Sequence, residues 1–187
     1  MGTLFVDKLD PQSGTSLEIG SSGDTITIPS GATLSNSGIM TGQNYPAFQA
    51  YLGSTQNVTS GTTTKVNINT EVFDTDSMYD ASTNYRFTPT TAGKYFCFLN
   101  LESSWSSAYG DNMEVEIQKN GSSALRTRFI LQTGSGNGFY GVLNTCGILE
   151  FNGSSDYIEA YAKYDGDGPF FVSGTNKTFF GAYRIGT

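Results

Sequence analysis

YDASTNYRFTPTTAGKYFCFLNL, residues 79–101, closes with a strand whose two faces are both largely apolar. A two-residue period places Tyr95, Cys97, Leu99 and Leu101 on one side of GKYFCFLNL and Phe96, Phe98 and Asn100 on the other. A strand of a lone β-sandwich keeps one side for the core and turns the other to water. Here the second side needs a cover as well, either another sheet or another copy of the chain.

Outward from this stretch the same texture continues. From Tyr45 onward the runs AFQAYL, TKVNINTEVF, NYRFTP, GKYFCFLNLESS, NMEVEIQKN, ALRTRFILQT, FYGVLNTCGILEFN, DYIEAYAKY, PFFVS and TFFGAYRI read as strands. The breaks KNGSS, GSGNG, FNGSSD and DGDGP supply residues that tolerate a positive φ. About ten strands with no helical period predict an all-β fold, a β-sandwich or jelly roll. Composition agrees: with 14% charged residues, 13% aromatics and 23 glycines in 187 residues, the chain suits short strands and tight turns. The length fits one full-sized domain plus a short extra segment.

The extra segment precedes Tyr45. Residues 15–42 contain no aromatic and repeat a simple phrase, SLEIGSSG, DTITIPSG, ATLSNSG, IMTG. Each phrase alternates apolar and polar residues and ends in Gly, too short to bury a face alone. A flexible linker lacks aliphatics at alternate positions. In DTITIP, Ile26 and Ile28 share one side, so equivalent faces from identical chains can bury one another around an axis. The expected organisation is a virion-attachment segment at 1–14, a short intertwined β shaft at 15–44 and a head at 45–187. Within 1–14, Leu4, Phe5 and Val6 form the one bulky apolar cluster, suited to strand addition onto a larger assembly or to the first strand of the shaft.

Charge and composition exclude several classes. A formal charge of −7, with ten scattered Lys and Arg residues, repels phosphate backbones, so no nucleic acid partner is expected. No apolar run reaches the roughly 18–20 residues that span a bilayer, and no membrane insertion is expected. MGTLFVDKLDPQSG lacks a basic start followed by a long apolar stretch, which predicts a soluble chain made in the cytosol; Val6 stands where a myristoylation motif wants Ser or Thr. Cys97 and Cys146, the two cysteines, are expected as free buried thiols. With no histidine there is no Ser-His-Asp set and no imidazole for zinc, and cysteines 49 positions apart form no CxxC motif. Glu114 and Glu116 share a strand side, as a glycosidase pair might require, but a solvated outward face is the simpler reading. The chain is expected not to be an enzyme.

Residues 79–101 also carry a resemblance. The aromatic-Asp pair, short polar turn, aromatic strand with a Thr-x-Pro turn and Gly-x-Tyr-x-Phe alternation resemble the globular head of complement C1q, in the tumour-necrosis-factor-like jelly-roll superfamily. YPAFQAYLGSTQNV resembles the opening strand of such heads, VEIQKNG the strand with a Lys-Asn-Gly hairpin, LNTCGILEFNGSSDYIEAYA the pair that follows, and KTFFGAYRIG the closing strand. The resemblance covers roughly residues 46–187 and departs in lacking a collagen stalk, in Cys97 and in a longer RTRFILQTGSGNGFYG region. It implies a ten-stranded jelly roll that forms a homotrimer through aromatic faces, with Phe96, Phe98 and Phe179 as trimer-interface residues. GSSGDTITIPSGATLSNSG resembles the Gly-punctuated rungs ahead of heads in phage fibres, notably of marine phages.

Together these readings predict a structural virion protein, a trimeric phage fibre or spike assembled in the host cytoplasm. Its N-terminus would meet other virion proteins, and its head would project toward a host surface glycan. The alternative is a secreted C1q-like recognition or signalling module. For receptor contact, Trp105 and Tyr109 in SSWSSAYGDN and Tyr164 in AYAKYDGDGPFF are the aromatic candidates; Trp105 equally suits a plug for the core or the trimer seam. No cofactor is expected. Asp165 and Asp167 in KYDGDGPF, and Asp74, Asp76 and Asp80 in EVFDTDSMYD, are oxygen-rich turns that suggest calcium. Six to eight oxygen ligands are needed, however, and plain acidic turns are the simpler reading.

Overall fold

The computed structural model describes residues 9–38, 45–104, 110–130, 140–166 and 168–186. The chain divides into two units, Met1–Gln43 and Asn44–Thr187. In the first, residues 9–38 form no strand, only bends and turns between irregular stretches, and every residue from 12 to 38 is exposed.

The second unit is built from strands β1 (Ala47–Tyr51), β2 (Gln56–Asn57), β3 (Thr64–Lys65), β4 (Thr70–Asp74), β5 (Tyr79–Asp80), β6 (Arg86–Phe87), β7 (Gly93–Ser104), β8 (Gly110–Lys119), β9 (Ser122–Ile130), β10 (Tyr140–Phe151), β11 (Ile158–Gly166), β12 (Phe170–Phe171) and β13 (Phe179–Gly186). They form two antiparallel sheets. One runs β4-β1-β13-β7-β10, with β12 continuing along the same edge of β7 as β13 and β2 outside it. The other runs β5-β6-β11-β8-β9, with β3 also paired to β11. From β7 onward the chain alternates between sheets: β7 in the first, β8 and β9 in the second, β10 in the first, β11 in the second, β12 and β13 in the first. This alternation makes the two-layer sandwich a jelly roll.

Alternation along the strands fills the space between the layers. Tyr95, Cys97, Leu99 and Leu101 of β7 are all 1% exposed or less, as the two-residue period predicts. They meet Val115 and Ile117 of β8, and Ile158, Ala160 and Ala162 of β11, in one buried cluster. Phe48 is the aromatic hub, stacked on Tyr79 at 4.6 Å and on Phe87 at 4.5 Å, with Phe180 edge-on at 5.2 Å. The Tyr79 hydroxyl stays buried because it donates to the Ile68 carbonyl at 2.7 Å.

The polar turn after Tyr79 is organised by one carboxylate. Asp80 accepts from the backbone N–H groups of Ser82, Thr83 and Asn84 and from the Asn84 amide, at 2.8 to 3.0 Å. These donors, led by the Thr83 and Ser82 amides, hold its carboxyl well below the usual carboxylate range.

Three sequence expectations need correction. The first is the number of strands, since the described residues form thirteen rather than about ten. The run 64–73 is not one strand but two in different sheets, with β3 on β11 and β4 on β1. The segment between crosses the sandwich, with Val66 and Ile68 fully buried and an Ile68 N–H to Val66 carbonyl bond of 2.9 Å turning the chain. Buried aliphatics at alternate positions therefore mimic a continuous strand. Tyr164, expected as a receptor contact, is 1% exposed; it lies on the inward side of β11 with Ile158, Ala160 and Ala162.

Candidate interaction face

The outward side of the first sheet is apolar across its width. Pairing registers Ala47, Tyr183, Phe96 and Ile148 in one row, and Gln49, Gly181, Phe98 and Cys146 in the next. A third row holds Tyr51, Phe179, Asn100 and Asn144. Phe96, Phe98 and Phe179 are half-buried by one another: Phe96 lies 5.4 Å from Tyr183 and 6.2 Å from Phe98, and Phe98 lies 6.2 Å from Phe179. Around them Tyr183, Ile148, Val142, Tyr140 and Phe73 are 46 to 70% exposed.

Gly181 lets the rings lie flat. A side-chain carbon there would meet the Phe98 ring and stand 2.8 Å from the Phe48 carbonyl oxygen. The bare backbone is thus the surface on which Phe98 rests. Beside it a shallow depression of about 300 Å³ is walled by Phe96, Phe98 and Phe179, with Asn100, Asn144 and Cys146 along its side. Charges sit at the ends of the face. Lys94 and Glu150 are in register at one end, and Lys177 and Glu102 pair at 3.3 Å at the other. An apolar centre with a charged rim is the anatomy of a protein interface.

The opposite outward face, on the second sheet, has a different chemistry. Lys65 meets Glu159 at 2.6 Å, Arg126 meets Glu114 at 3.7 Å, and Lys163 meets Asp165 at 3.6 Å. Glu116 accepts from the Gln118 amide at 2.7 Å. Glu114 thus pairs across strands with Arg126, whereas Glu116, 6% exposed, is buried rather than on the solvated outward face expected of it.

The remaining sequence candidates fall as follows. Phe96, Phe98 and Phe179 share the apolar face. Leu4, Phe5, Val6, Trp105, Tyr109 and Asp167 lie outside the described residues. Asp165 sits between Lys163 and the Asn112 amide, which reaches it at 3.4 Å. Asp74 accepts the Tyr79 N–H at 2.7 Å and the Asp76 N–H at 3.3 Å, and so works as a turn cap. Among the described residues no three acidic or thiol groups gather as metal ligands. The two cysteines lie on opposite sides of the sheet, Cys97 buried and Cys146 exposed, so only one of them is the buried thiol expected. Burial pushes the Cys97 thiol up to about 12. Tyr183, Ile148 and Val142 were missed, although alternation in FYGVLNTCGILEFN and TFFGAYRI puts them on one side.

No protein-family model and no curated protein sequence matches the chain. Its structure is similar to crystal structures of murine APRIL. The one at pH 5.0 aligns with a TM-score of 0.57 at 11% identity, and those at pH 8.0 and 8.5 with 0.52 at 12% and 0.51 at 13%. Each alignment covers 76% of this chain and 100% of the other. At these identities the likeness shows the fold: a jelly roll of the tumour-necrosis-factor-like class.

Proposed function

We propose that the chain is a homotrimeric structural protein of a virion, a phage fibre or spike whose jelly-roll head projects outward and contributes to host attachment. The observation that carries the trimer is the apolar face centred on Phe96, Phe98 and Phe179. It is broad, nearly uncharged and edged by charged residues, among them the Lys177–Glu102 ion pair, and a second copy of the same chain supplies a surface of matching chemistry. The tumour-necrosis-factor-like fold supports the same arrangement, since the resemblance to C1q-type heads implies assembly through this kind of face. The virion role rests on the Gly-punctuated phrases of residues 15–42 ahead of the head, with 1–14 as the segment that meets other virion proteins. The role is one of binding and structure, not catalysis.

Antibody against the head tests the virion role. Gold label on intact particles of the virus that encodes the chain is the expected result. Particles that stay unlabelled, with the protein recovered free from culture fluid, would favour a secreted recognition module instead. Incubation with host surface glycans should release no reducing ends, and sustained release would refute the non-enzymatic role.

A further inference from the structure

One row of the apolar face runs from edge to edge of the first sheet. Register carries it from Phe73 on β4 through Gln49, Gly181 and Phe98 to Cys146 on β10. Phe73 stands on the outward side of the β4 edge, 46% exposed. At the far side of the same row lies the depression of about 300 Å³ between Phe96, Phe98, Phe179 and Cys146, with room for an aromatic side chain. A protruding ring and a hollow therefore stand at one height on opposite sides of a single face.

Within one chain they cannot meet, because four strand spacings of about 4.8 Å each separate Phe73 from Cys146. Between copies they meet when the β4 side of one face is set against the β10 side of the next. Contacts of this head-to-tail kind close into rings. Charge agrees with the same placement. Glu71 is exposed beside Phe73 and makes no ion pair among the described residues. It lies on the Lys177 side of Phe73, since Thr70 shares the row of Tyr51 and Phe179. Lys177 borders the hollow, where its carbonyl accepts the Asn100 amide at 2.5 Å. Its side chain is 40% exposed while that of its partner Glu102 is 17%, so the ammonium is the charge that an approaching copy meets.

We infer that Phe73 of each copy fills the hollow of the next, so that every chain gives one ring and receives one around a closed assembly of three. The hollow is then incomplete in a single chain. This inference rests on the trimeric reading of the head and names the side chain that completes its face.

A disulfide in the full chain tests it. Cys146 walls the hollow, and a disulfide needs Cα atoms within about 7 Å, so Phe73→Cys can bond to Cys146 between copies but not within one. With copper phenanthroline in air, each bond forms as two thiols give two protons and two electrons to oxygen. Gels without reductant should show a three-chain band that dithiothreitol collapses, and peptide mass spectrometry should find positions 73 and 146 joined. The unaltered chain should stay single on the same gel, and a bond between two Cys146 residues would set hollow against hollow and overturn the docking. Phe73→Asp should lower the particle mass measured by light scattering. A three-chain particle of Phe73→Cys that forms no such bond, or a Phe73→Asp particle of undiminished mass, overturns the docking and leaves the head trimer standing. Bonded pairs in a two-chain particle overturn the ring of three, and a one-chain mass for the unaltered protein overturns both.

Discussion

Gly181 carries more of the face than its size suggests. Adding a methyl group at this position forces the Phe98 ring off the sheet and presses on the Phe48 carbonyl. Gly181→Ala should destabilise the fold by about 1–3 kcal/mol, as overpacking does. In a Phe98→Ala background the cost should shrink, and strictly additive effects in a denaturant-unfolding cycle would show that Phe98 is not the obstacle. Asp80 governs acid behaviour. Because its folded carboxyl titrates well below the ordinary value near 4, it stabilises the fold above that value and loses the contribution as pH falls through its folded range. Asp156, held down by the Asn120 amide and Lys119, acts in the same direction. The unfolding temperature should therefore drop below about pH 4, and Asp80→Asn should flatten that drop; an unchanged acid slope would remove Asp80 from the account. At this scale the sequence was legible where alternation was followed. Tyr164 was misplaced because an acidic Gly-rich loop follows it, although DYIEAYAKY already aligns it with Ile158, Ala160 and Ala162 on one side.

Under the proposed assembly, strand β7 separates folding from association within one element. Its inward side holds the layers together, so Leu99→Ala should cost about 2–5 kcal/mol and lower the unfolding midpoint. Among the described residues of the head, neither sheet covers its outward side. Phe96→Asp should leave the circular dichroism of the sandwich intact while reducing the mass of the particle, and loss of the β spectrum would place Phe96 among the groups that fold the chain. Residues 93–103 were readable because period two runs unbroken through them. Residues 64–73 were not, since Val66 and Ile68 keep the alternation going while the backbone leaves one sheet for the other. Crossing points of this kind are set by the other strands, and local pattern does not record them.

Among the described residues, large apolar side chains stand exposed across the first sheet of the head and, in the N-terminal unit, at Leu17, Ile19, Ile26, Ile28 and Leu34. The proposed assembly of identical chains would cover the head face, and Cys146 would report on it from that face. In the assembled protein alkylation should be slow at both thiols, because Cys97 is buried and Cys146 is covered. In Phe96→Asp, Cys146 alone should react quickly. Equal rates at Cys146 in the two proteins would mean that the face is open. Light scattering of the intact chain on a sizing column tests the central claim most directly. The account predicts a particle of three times the 20.1 kDa chain mass, and a particle of one chain mass would contradict it.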